Sequence, residues 1–174
     1  MNAAEQFERR IGRTVVYLVW VVVMAFFFAN AEIQIEGPAG WAANLPTWRI
    51  EHHWLLDIFW GGRAMTGYHA WVFPFMALVF FGPMAFNGRW SWRDAGLALV
   101  GLMVFWIAED FMWFIVNPAY GWERFNPAVV TWHKHWVFGA PVDYWVGLGA
   151  AGLILFVRHR RRVHHEEEAA EGAP

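Results

Sequence analysis

The stretch 97–116, LALVGLMVFWIAEDFMWFIV, constrains the fold of this chain most, because it is almost wholly apolar over the thickness of a bilayer. A transmembrane helix needs roughly 20 mostly apolar residues in a row. The chain of 174 residues is 58% hydrophobic and only 16% charged, and a soluble domain of that size could not bury so much apolar surface. The sequence therefore predicts an all-α integral membrane protein.

Four segments are long and apolar enough, or nearly so, to cross a bilayer. They cover approximately residues 14–30, 64–85, 95–116 and 143–158. The last segment is short and rich in glycine and alanine, which favours close packing between helices. The sequence predicts one four-helix transmembrane domain, residues 1–163, followed by a polar and disordered cytoplasmic tail, residues 164–174.

The arginines indicate the orientation of this bundle, because cytoplasmic loops carry an excess of Lys and Arg. If both termini are cytoplasmic, nine arginines lie inside: Arg9, Arg10, Arg13, Arg89, Arg93, Arg158, Arg160, Arg161 and Arg162. We therefore expect a multi-pass protein of the cytoplasmic (inner) membrane. The triplet Ala29-Asn30-Ala31 resembles a signal-peptidase site, but the long, aromatic-rich run before it favours a first helix that is not cleaved.

Two connecting segments on the outer side carry helix signals. Residues 48–60 are apolar or aromatic on nearly every face and are followed by two glycines. Residues 127–138 follow Asn126, a favoured N-cap residue, begin with a proline, and precede Gly139. The sequence thus predicts two short interfacial helices, about 48–60 and 127–138, that cap the outer face of the bundle.

Carboxylates and imidazoles converge on the outer half of this predicted bundle. Glu109 and Asp110 lie inside the third span, where ionisable side chains are costly and mark functional or paired sites. His69 lies about one turn inside the second span. Imidazole together with carboxylate suits Zn, Cu or non-haem Fe. The candidate metal ligands are Asp110, Glu109, His69, His133, His135, His53 and Asp57.

The spacing of the loop histidines bears on how many of them can reach one metal ion. His53 and Asp57 are four residues apart and would share one face of a helix. His133 and His135 form an H-x-H pair, whose side chains point the same way on a strand but diverge on a helix. Within the predicted helix, only one of this pair can face a given site.

The buried acids also have a structural interpretation. They can pair with Arg63, Arg49 or Lys134 and fix the packing of the helices. Trp106 and Trp113 flank Asp110 on one helical face, where they either line an apolar pocket around the acids or pack in the core. Both interpretations remain open at the level of the sequence.

The absence of cysteine narrows the chemistry further. It excludes disulfides, thiolate metal ligands, Cys-held iron–sulfur clusters and c-type haem. A bis-His haem is less favoured than a metal ion, because only His69 lies securely within a span. The chain contains no phosphate-binding loop, no serine nucleophile elbow and no H-E-x-x-H motif.

These features predict a multi-pass membrane protein with a His/carboxylate metal pocket at the outer side of the membrane. Such a pocket can support oxidoreductase or hydrolase chemistry on a small lipophilic substrate. Two alternatives remain: a non-catalytic accessory subunit of a larger membrane complex, and a transporter that forms homo-oligomers because four spans are few for a closed path. The expected surroundings are the lipid bilayer, and no nucleic acid partner is expected.

Overall fold

The computed structural model describes residues 3–59, 63–88, 90–130 and 132–171, and these are mostly helical. The helices are α1 (Ala3–Glu36), α2 (Trp54–Phe59), α3 (Gly67–Phe86), α4 (Trp92–Val116) and α5 (Val142–Glu171), with a 3₁₀ turn at Trp122–Arg124. Two antiparallel strand pairs join β1 (Arg49–Ile50) to β2 (Met65–Thr66) and β3 (Trp136–Val137) to β4 (Ala140–Pro141). The predicted helical class is confirmed.

Three helices are long and apolar enough to cross a membrane: Ile11–Glu36 within α1, and the whole of α3 and α4. Large apolar side chains, among them Trp20, Phe27, Trp71 and Leu78, project outward from α1 and α3. Water would drive such a surface to associate, whereas lipid solvates it. The structure thus agrees with a membrane protein. Helix α5 is not among the three, so the fourth span stays a prediction.

Helix α4 lies at the centre of the bundle and contacts α1, α3 and α5. Its fully buried Phe105 packs in one core cluster with Val21 of α1 and Phe80 of α3. Gly101 lets α1 come close, because a Cβ at this position would collide with the side chain of Tyr17. This half of the bundle is an apolar core.

Helices α1 and α4 end, and helices α3 and α5 begin, at the same end of the bundle, which we call the site end. Side-chain contacts show this arrangement. Glu36 lies 3.8 Å from His69, and His133 lies 3.0 Å from both Asp110 and Asp143. The segments 37–66 and 117–141 connect the helices here and bring further side chains to the same place.

Helix α1 is longer than predicted, since it covers Ala3–Glu36 and the expected span covered only 14–30. The backbone remains helical past the apolar run, and Gly37 then donates its N–H to the carbonyl of Ile33 at 2.9 Å. Gly37 has a φ of 74°, the left-handed conformation that commonly ends a helix. Glu32 and Glu36, which were expected in an outer loop, therefore project from the last turns of a membrane helix.

The first predicted loop helix, 48–60, is shorter in the structure. Arg49 and Ile50 are extended because they pair with Thr66 and Met65 in the first strand pair, and helix α2 begins only at Trp54. This strand pair, β1 with β2, replaces the first turn of the predicted helix. Residues 60–62, where its end was expected, lie outside the described residues.

The second predicted loop helix, 127–138, is wrong. Asn126 does cap a turn, since its side-chain oxygen accepts the N–H of Ala128 at 3.1 Å, but the helix does not continue. Strands β3 and β4 follow, joined by Phe138 and Gly139 with φ values of 50° and 76°. Two residues with positive φ form a tight hairpin turn. The glycine that was expected to stop a helix belongs to this turn.

Helix α5 begins at Val142, one residue before the predicted start of the fourth span at 143, and its backbone continues to Glu171. It thus passes the expected end of the span near residue 158 and enters the segment 164–174 that was expected to be disordered. The last three residues, 172–174, lie outside the described part of the chain.

Candidate functional site

A cavity of about 400 Å³ lies at the site end between α1, α3, α4 and α5. Its deeper wall is apolar and is formed by Phe73, Leu102, Trp106 and Ile107. The remaining wall is polar or ionisable and is formed by Glu32, Trp41, Arg63, His69, Glu109, Asp110, His133, Asp143 and Tyr144. The cavity therefore joins an apolar chamber to a group of acids and imidazoles.

The imidazole of His69 is fixed by the start of helix α3. Thr66 is the N-cap residue, and its hydroxyl oxygen accepts the backbone N–H of His69 at 3.3 Å. The same hydroxyl is 2.7 Å from Nδ1 of the ring. Trp41 stacks on the ring with a centroid distance of 4.1 Å. These contacts hold the ring so that its other nitrogen, Nε2, faces Glu36 at 3.8 Å.

The carboxylate of Glu36 is held by the loop that follows α1. Its Oε1 accepts the backbone N–H of Ala42 at 2.6 Å. Trp41 and Ala42 have φ values of 47° and 51°, a region that costs a non-glycine residue on the order of 1–3 kcal/mol. Such strain persists where the surroundings require it. Here the strained loop supplies both the N–H for Glu36 and the ring that stacks on His69.

Three side chains from two helices form a compact group of ligand atoms. One ligand atom each from Glu32, Glu36 and His69 lies within 4.8 Å of the other two. All three residues are at most 7% exposed. Glu109 of α4 is 4% exposed, interacts with Glu32, and has an Oε1 with no hydrogen-bond partner among the described residues. We call these four residues the glutamate–histidine cluster.

A second group lies on the other side of the cavity, and its members are connected by hydrogen bonds. Nε2 of His133 donates to Oδ2 of Asp110 at 3.0 Å, and the Tyr144 hydroxyl donates to the same oxygen. Arg63 donates to Nδ1 of His133 at 2.7 Å and to Oδ2 of Asp143 at 2.9 Å. We call these five residues the Asp110–His133 network.

His133 is the titratable centre of this network. Burial alone would lower its pKa, but the hydrogen bonds with Asp110 and Asp143 outweigh burial and raise the pKa of His133 above its usual 6.5. When the ring is neutral, Nδ1 accepts from Arg63; when it is protonated, Nδ1 donates to Asp143, which is 3.0 Å away. Nε2 donates to Asp110 in both states.

The two groups differ in how their negative charge is compensated. The network contains the guanidinium of Arg63 and the imidazole of His133 beside its two carboxylates. In the part of the chain that the structure describes, no lysine or arginine forms an ion pair with a carboxylate of the glutamate–histidine cluster. Buried carboxylates without a cation require protons or a bound cation.

The residues predicted from the sequence are distributed over both groups and beyond. His69 and Glu109 belong to the cluster, whereas Asp110 and His133 belong to the network. His135 is exposed and does not line the cavity. Two further candidates, His53 and Asp57, lie in or beside α2.

The structure does not bring His53 to the cavity. Its ring is exposed, stacks on Trp54, and accepts the N–H of Leu55 at 3.2 Å through Nδ1. The side chain of Asp57 lies outside the described residues. Of the two flanking tryptophans, Trp106 lines the cavity, while Trp113 packs in the core against the loop at Gly40.

Sequence reasoning missed Glu32 and Glu36, which provide two of the three atoms in the compact group. Their spacing was a usable signal, because residues four apart share one face of a helix. Gly37, followed by a proline, marks a helix end directly after Glu36. Extending the first helix to that signal would have placed both acids at the depth of His69.

Comparison of this chain with protein-family models finds no match, and comparisons with curated proteins and with solved structures find no significant one. The arrangement of side chains around the cavity is therefore the basis for a functional proposal. Its chemistry combines carboxylate oxygens, one oriented imidazole nitrogen and an adjoining apolar chamber.

Proposed function

We propose that this chain is a multi-pass membrane protein that binds a transition metal ion at Glu32, Glu36 and His69. The observation that carries the proposal is the compact group of three buried ligand atoms, all within 4.8 Å of one another. No arginine or lysine of the described chain compensates these carboxylates. A divalent cation would satisfy both the charge and the geometry.

The donor set suits Zn, non-haem Fe or Cu, which imidazole and carboxylate ligands bind well. Three protein ligands with one position left open are typical of catalytic metal sites. Metal-binding histidines usually engage a partner through their second ring nitrogen, which fixes the ring. Thr66 contacts Nδ1 of His69 in this way and leaves Nε2 for the metal.

The apolar chamber beside the cluster favours binding of a small lipophilic substrate. Phe73, Leu102, Trp106 and Ile107 form its apolar wall, and Glu32 and His69 line the same cavity. A molecule with an apolar body and one polar group would fit, with the polar group toward the cluster. A bound metal ion supplies Lewis acidity or an activated water, so oxidoreductase or hydrolase activity is the reaction class that we propose.

We also propose that α5 is a fourth span and that both termini are cytoplasmic. Apolar side chains such as Val146, Leu153 and Phe156 are exposed along α5, as expected for a helix in lipid. The distribution of arginines favours this orientation, because cytoplasmic loops carry an excess of Lys and Arg. The site end then faces the outer side of the inner membrane, with the segment 117–141 over it.

The topology can be tested with single cysteines, since the chain has none of its own. Asn87 and Glu123 are both exposed and lie at opposite ends of the bundle. In intact cells, a membrane-impermeant thiol reagent should label Glu123→Cys and not Asn87→Cys. Both variants should react after the cells are lysed. Labelling of Asn87→Cys alone would reverse the orientation.

The metal site can be tested by the metal content of the purified protein. After chelation, reloading with Zn²⁺ and desalting, the natural chain should retain zinc, and His69→Ala should lose it. His53→Ala is the matched control, because His53 is an exposed imidazole away from the cavity. Equal retention by His69→Ala and His53→Ala would reject the site.

A natural chain that holds no stoichiometric metal after reloading would favour the accessory-subunit alternative. The exposed aromatic and aliphatic side chains of the bundle would then contact other subunits as well as lipid. An oligomeric transporter would share that surface, and transport of a cation without tight retention would distinguish it from an accessory subunit.

A further inference from the structure

At the end of the bundle opposite the cavity, helices α1, α4 and α5 meet around the side chain of Arg158. The Tyr17 hydroxyl of α1 donates to the backbone carbonyl of Leu97 in α4 at 3.4 Å. Arg158 of α5 interacts electrostatically with Tyr17 and with Asp94 of α4. The side chain of Arg158 is only 21% exposed. A guanidinium is therefore largely covered at a place where three helices come together.

The guanidinium of Arg158 is covered without being well paired. Its Nη2 lies 3.8 Å from Oδ1 of Asp94, which is beyond hydrogen-bonding distance, and the side chain of Asp94 is 59% exposed. No other carboxylate of the described residues forms an ion pair with Arg158. A guanidinium carries several N–H donors in a planar fork, and donors that are shielded from water need acceptors. The position of Arg158 therefore indicates an acceptor from outside the chain.

Two further arginines add positive charge at the same place. Arg93 of α4 is exposed and lies close enough to Arg158 to act on it electrostatically. Arg13 of α1 is exposed and precedes Tyr17 by four residues, so these two share one face of the helix. In the described chain, the ion pairs at this place include one carboxylate, that of Asp94. We call the three arginines the arginine junction, and its excess positive charge would be neutralised by an anion.

The surface beside the arginine junction is typical of the boundary between headgroups and acyl chains. Trp90 and Trp92, shortly before Arg93, are exposed and contact each other edge to face with a centroid distance of 6.1 Å. Tryptophan is enriched at this depth of a bilayer. Toward the site end, the exposed side chains of Trp20 on α1 and Leu153 on α5 are apolar. An anion at the junction thus has apolar surface next to it, which suits the acyl chains of a lipid better than a free anion.

We propose that the arginine junction binds the headgroup phosphate of an anionic phospholipid, with the acyl chains along α1 and α5. Basic pockets between transmembrane helices on the cytoplasmic side recognise such headgroups. Guanidinium groups bind phosphate oxygens through paired N–H donors. The proposal goes beyond the metal site and uses none of its residues, although it rests on the proposed placement of α5 in the membrane. With both termini cytoplasmic, this lipid belongs to the inner leaflet.

The test is lipid binding by the purified and delipidated full chain in a neutral detergent, measured by native mass spectrometry. Phosphatidylglycerol and phosphatidylcholine with identical acyl chains are compared, because both carry a phosphate and only the first has a net negative charge. The natural chain should bind a first phosphatidylglycerol at least about tenfold more tightly than phosphatidylcholine. Arg158→Gln should weaken phosphatidylglycerol binding about fivefold, the contribution of one arginine near a membrane surface, and leave phosphatidylcholine binding unchanged.

Arg160→Gln is the matched control. Arg160 lies two residues further along α5, and its guanidinium lies over the ring of Phe156 at 5.2 Å. Residues two apart point to different faces of a helix, so this substitution removes the same charge from the same end of the bundle but outside the junction. Arg160→Gln should keep the phosphatidylglycerol affinity of the natural chain. Equal weakening in Arg158→Gln and Arg160→Gln would show a diffuse attraction to basic surface and overturn the site.

Two other results would also overturn the lipid site. One is equal affinity of the natural chain for both lipids; the other is displacement of phosphatidylglycerol by excess inorganic phosphate, which would indicate a site for small anions. If Arg158→Gln does not fold, as judged by gel filtration, Arg93→Gln decides, with the same expected loss at an exposed residue. Zinc retention in Arg93→Gln and Arg158→Gln should equal that of the natural chain, so failure of the lipid site and failure of the metal site are distinguishable.

Discussion

The glutamate–histidine cluster and the Asp110–His133 network line one cavity and use the same side-chain types, yet they differ in charge compensation. In the network, His133 donates to Asp110 at 3.0 Å and Arg63 donates to Asp143 at 2.9 Å. In the cluster, three buried glutamates have no lysine or arginine partner in the described chain. The network is complete without a ligand, and the cluster is not.

This difference shows why burial of a carboxylate alone does not identify a ligand site. Asp110 and Glu109 are adjacent in the sequence, but they point into different groups because successive residues on a helix are about 100° apart. Asp110 belongs to a hydrogen-bonded network that stabilises the fold. Glu109 keeps an oxygen without a partner, as expected for a group that binds something else.

The largest expected effect is on metal affinity. Glu36→Gln removes a charged ligand from the compact group, and we expect at least about a 100-fold loss of Zn²⁺ affinity, equivalent to about 2.7 kcal/mol. Competition with a chromophoric chelator measures this loss. His135→Ala, at an exposed imidazole that does not line the cavity, is the control and should bind as the natural chain does. A tenfold or smaller loss for Glu36→Gln would place the ligands elsewhere.

The next effect is on stability and concerns the network. Arg63→Gln leaves Asp143 without its ion pair and Nδ1 of His133 without its donor. We expect a loss of about 2–3 kcal/mol in the free energy of unfolding, with metal content unchanged. Thermal unfolding in detergent measures the first quantity and elemental analysis the second. Arg124→Gln is the exposed control. Loss of metal in Arg63→Gln without loss of stability would contradict the assignment.

In the metal-free protein, a substitution in the cluster is expected to raise stability, by a smaller amount than Arg63→Gln lowers it. Glu32→Gln takes away one of three neighbouring carboxylates, so the chelator-treated variant should be more stable than the chelator-treated natural chain by about 1 kcal/mol. Asp110→Asn should instead lower stability, because it breaks a compensated pair with His133. If both substitutions destabilise the metal-free protein equally, the two groups do not differ in charge compensation.

The smallest effect is the pH dependence that arises from His133. Its pKa is raised in the folded protein, so its contribution to stability is fully present below its usual pKa of 6.5 and is lost as the pH rises through the folded value. The groups facing it are Arg63, Asp110, Asp143 and Tyr144. The thermal midpoint of the natural chain should therefore fall over this pH range, and His133→Gln should show a shallower fall. An unchanged slope in that variant would show that His133 is not the titrating group.

The helical membrane class was predictable from composition, because long apolar segments of about 20 residues are typical of helices that cross a bilayer. The common depth of His69, Glu109 and Asp110 was predictable from span positions, and all three line the cavity. Which of them share a group was not predictable. That depends on the rotation of α4 against α1 and α3, and the hydrophobic pattern of an almost wholly apolar helix does not fix its rotation.

The missed and incorrect elements have local causes. The end of α1 was placed at the end of the apolar run, although backbone hydrogen bonds carry the helix to Glu36. The helix expected at 127–138 rested on Asn126 and Gly139, but both residue types also favour turns, and pairing of β3 with β4 decided between the two structures. In both cases, backbone hydrogen bonds between residues close in sequence determined the outcome.

X-ray absorption spectroscopy of the zinc-loaded protein tests the central claim most directly, because it counts the imidazoles bound to the metal. A site at Glu32, Glu36 and His69 predicts oxygen ligands at about 2.0–2.2 Å and a single imidazole, which His69→Ala removes and His133→Gln does not. Two imidazoles at the metal, or a single one that is lost in His133→Gln, would place the ion in the Asp110–His133 network and contradict the account.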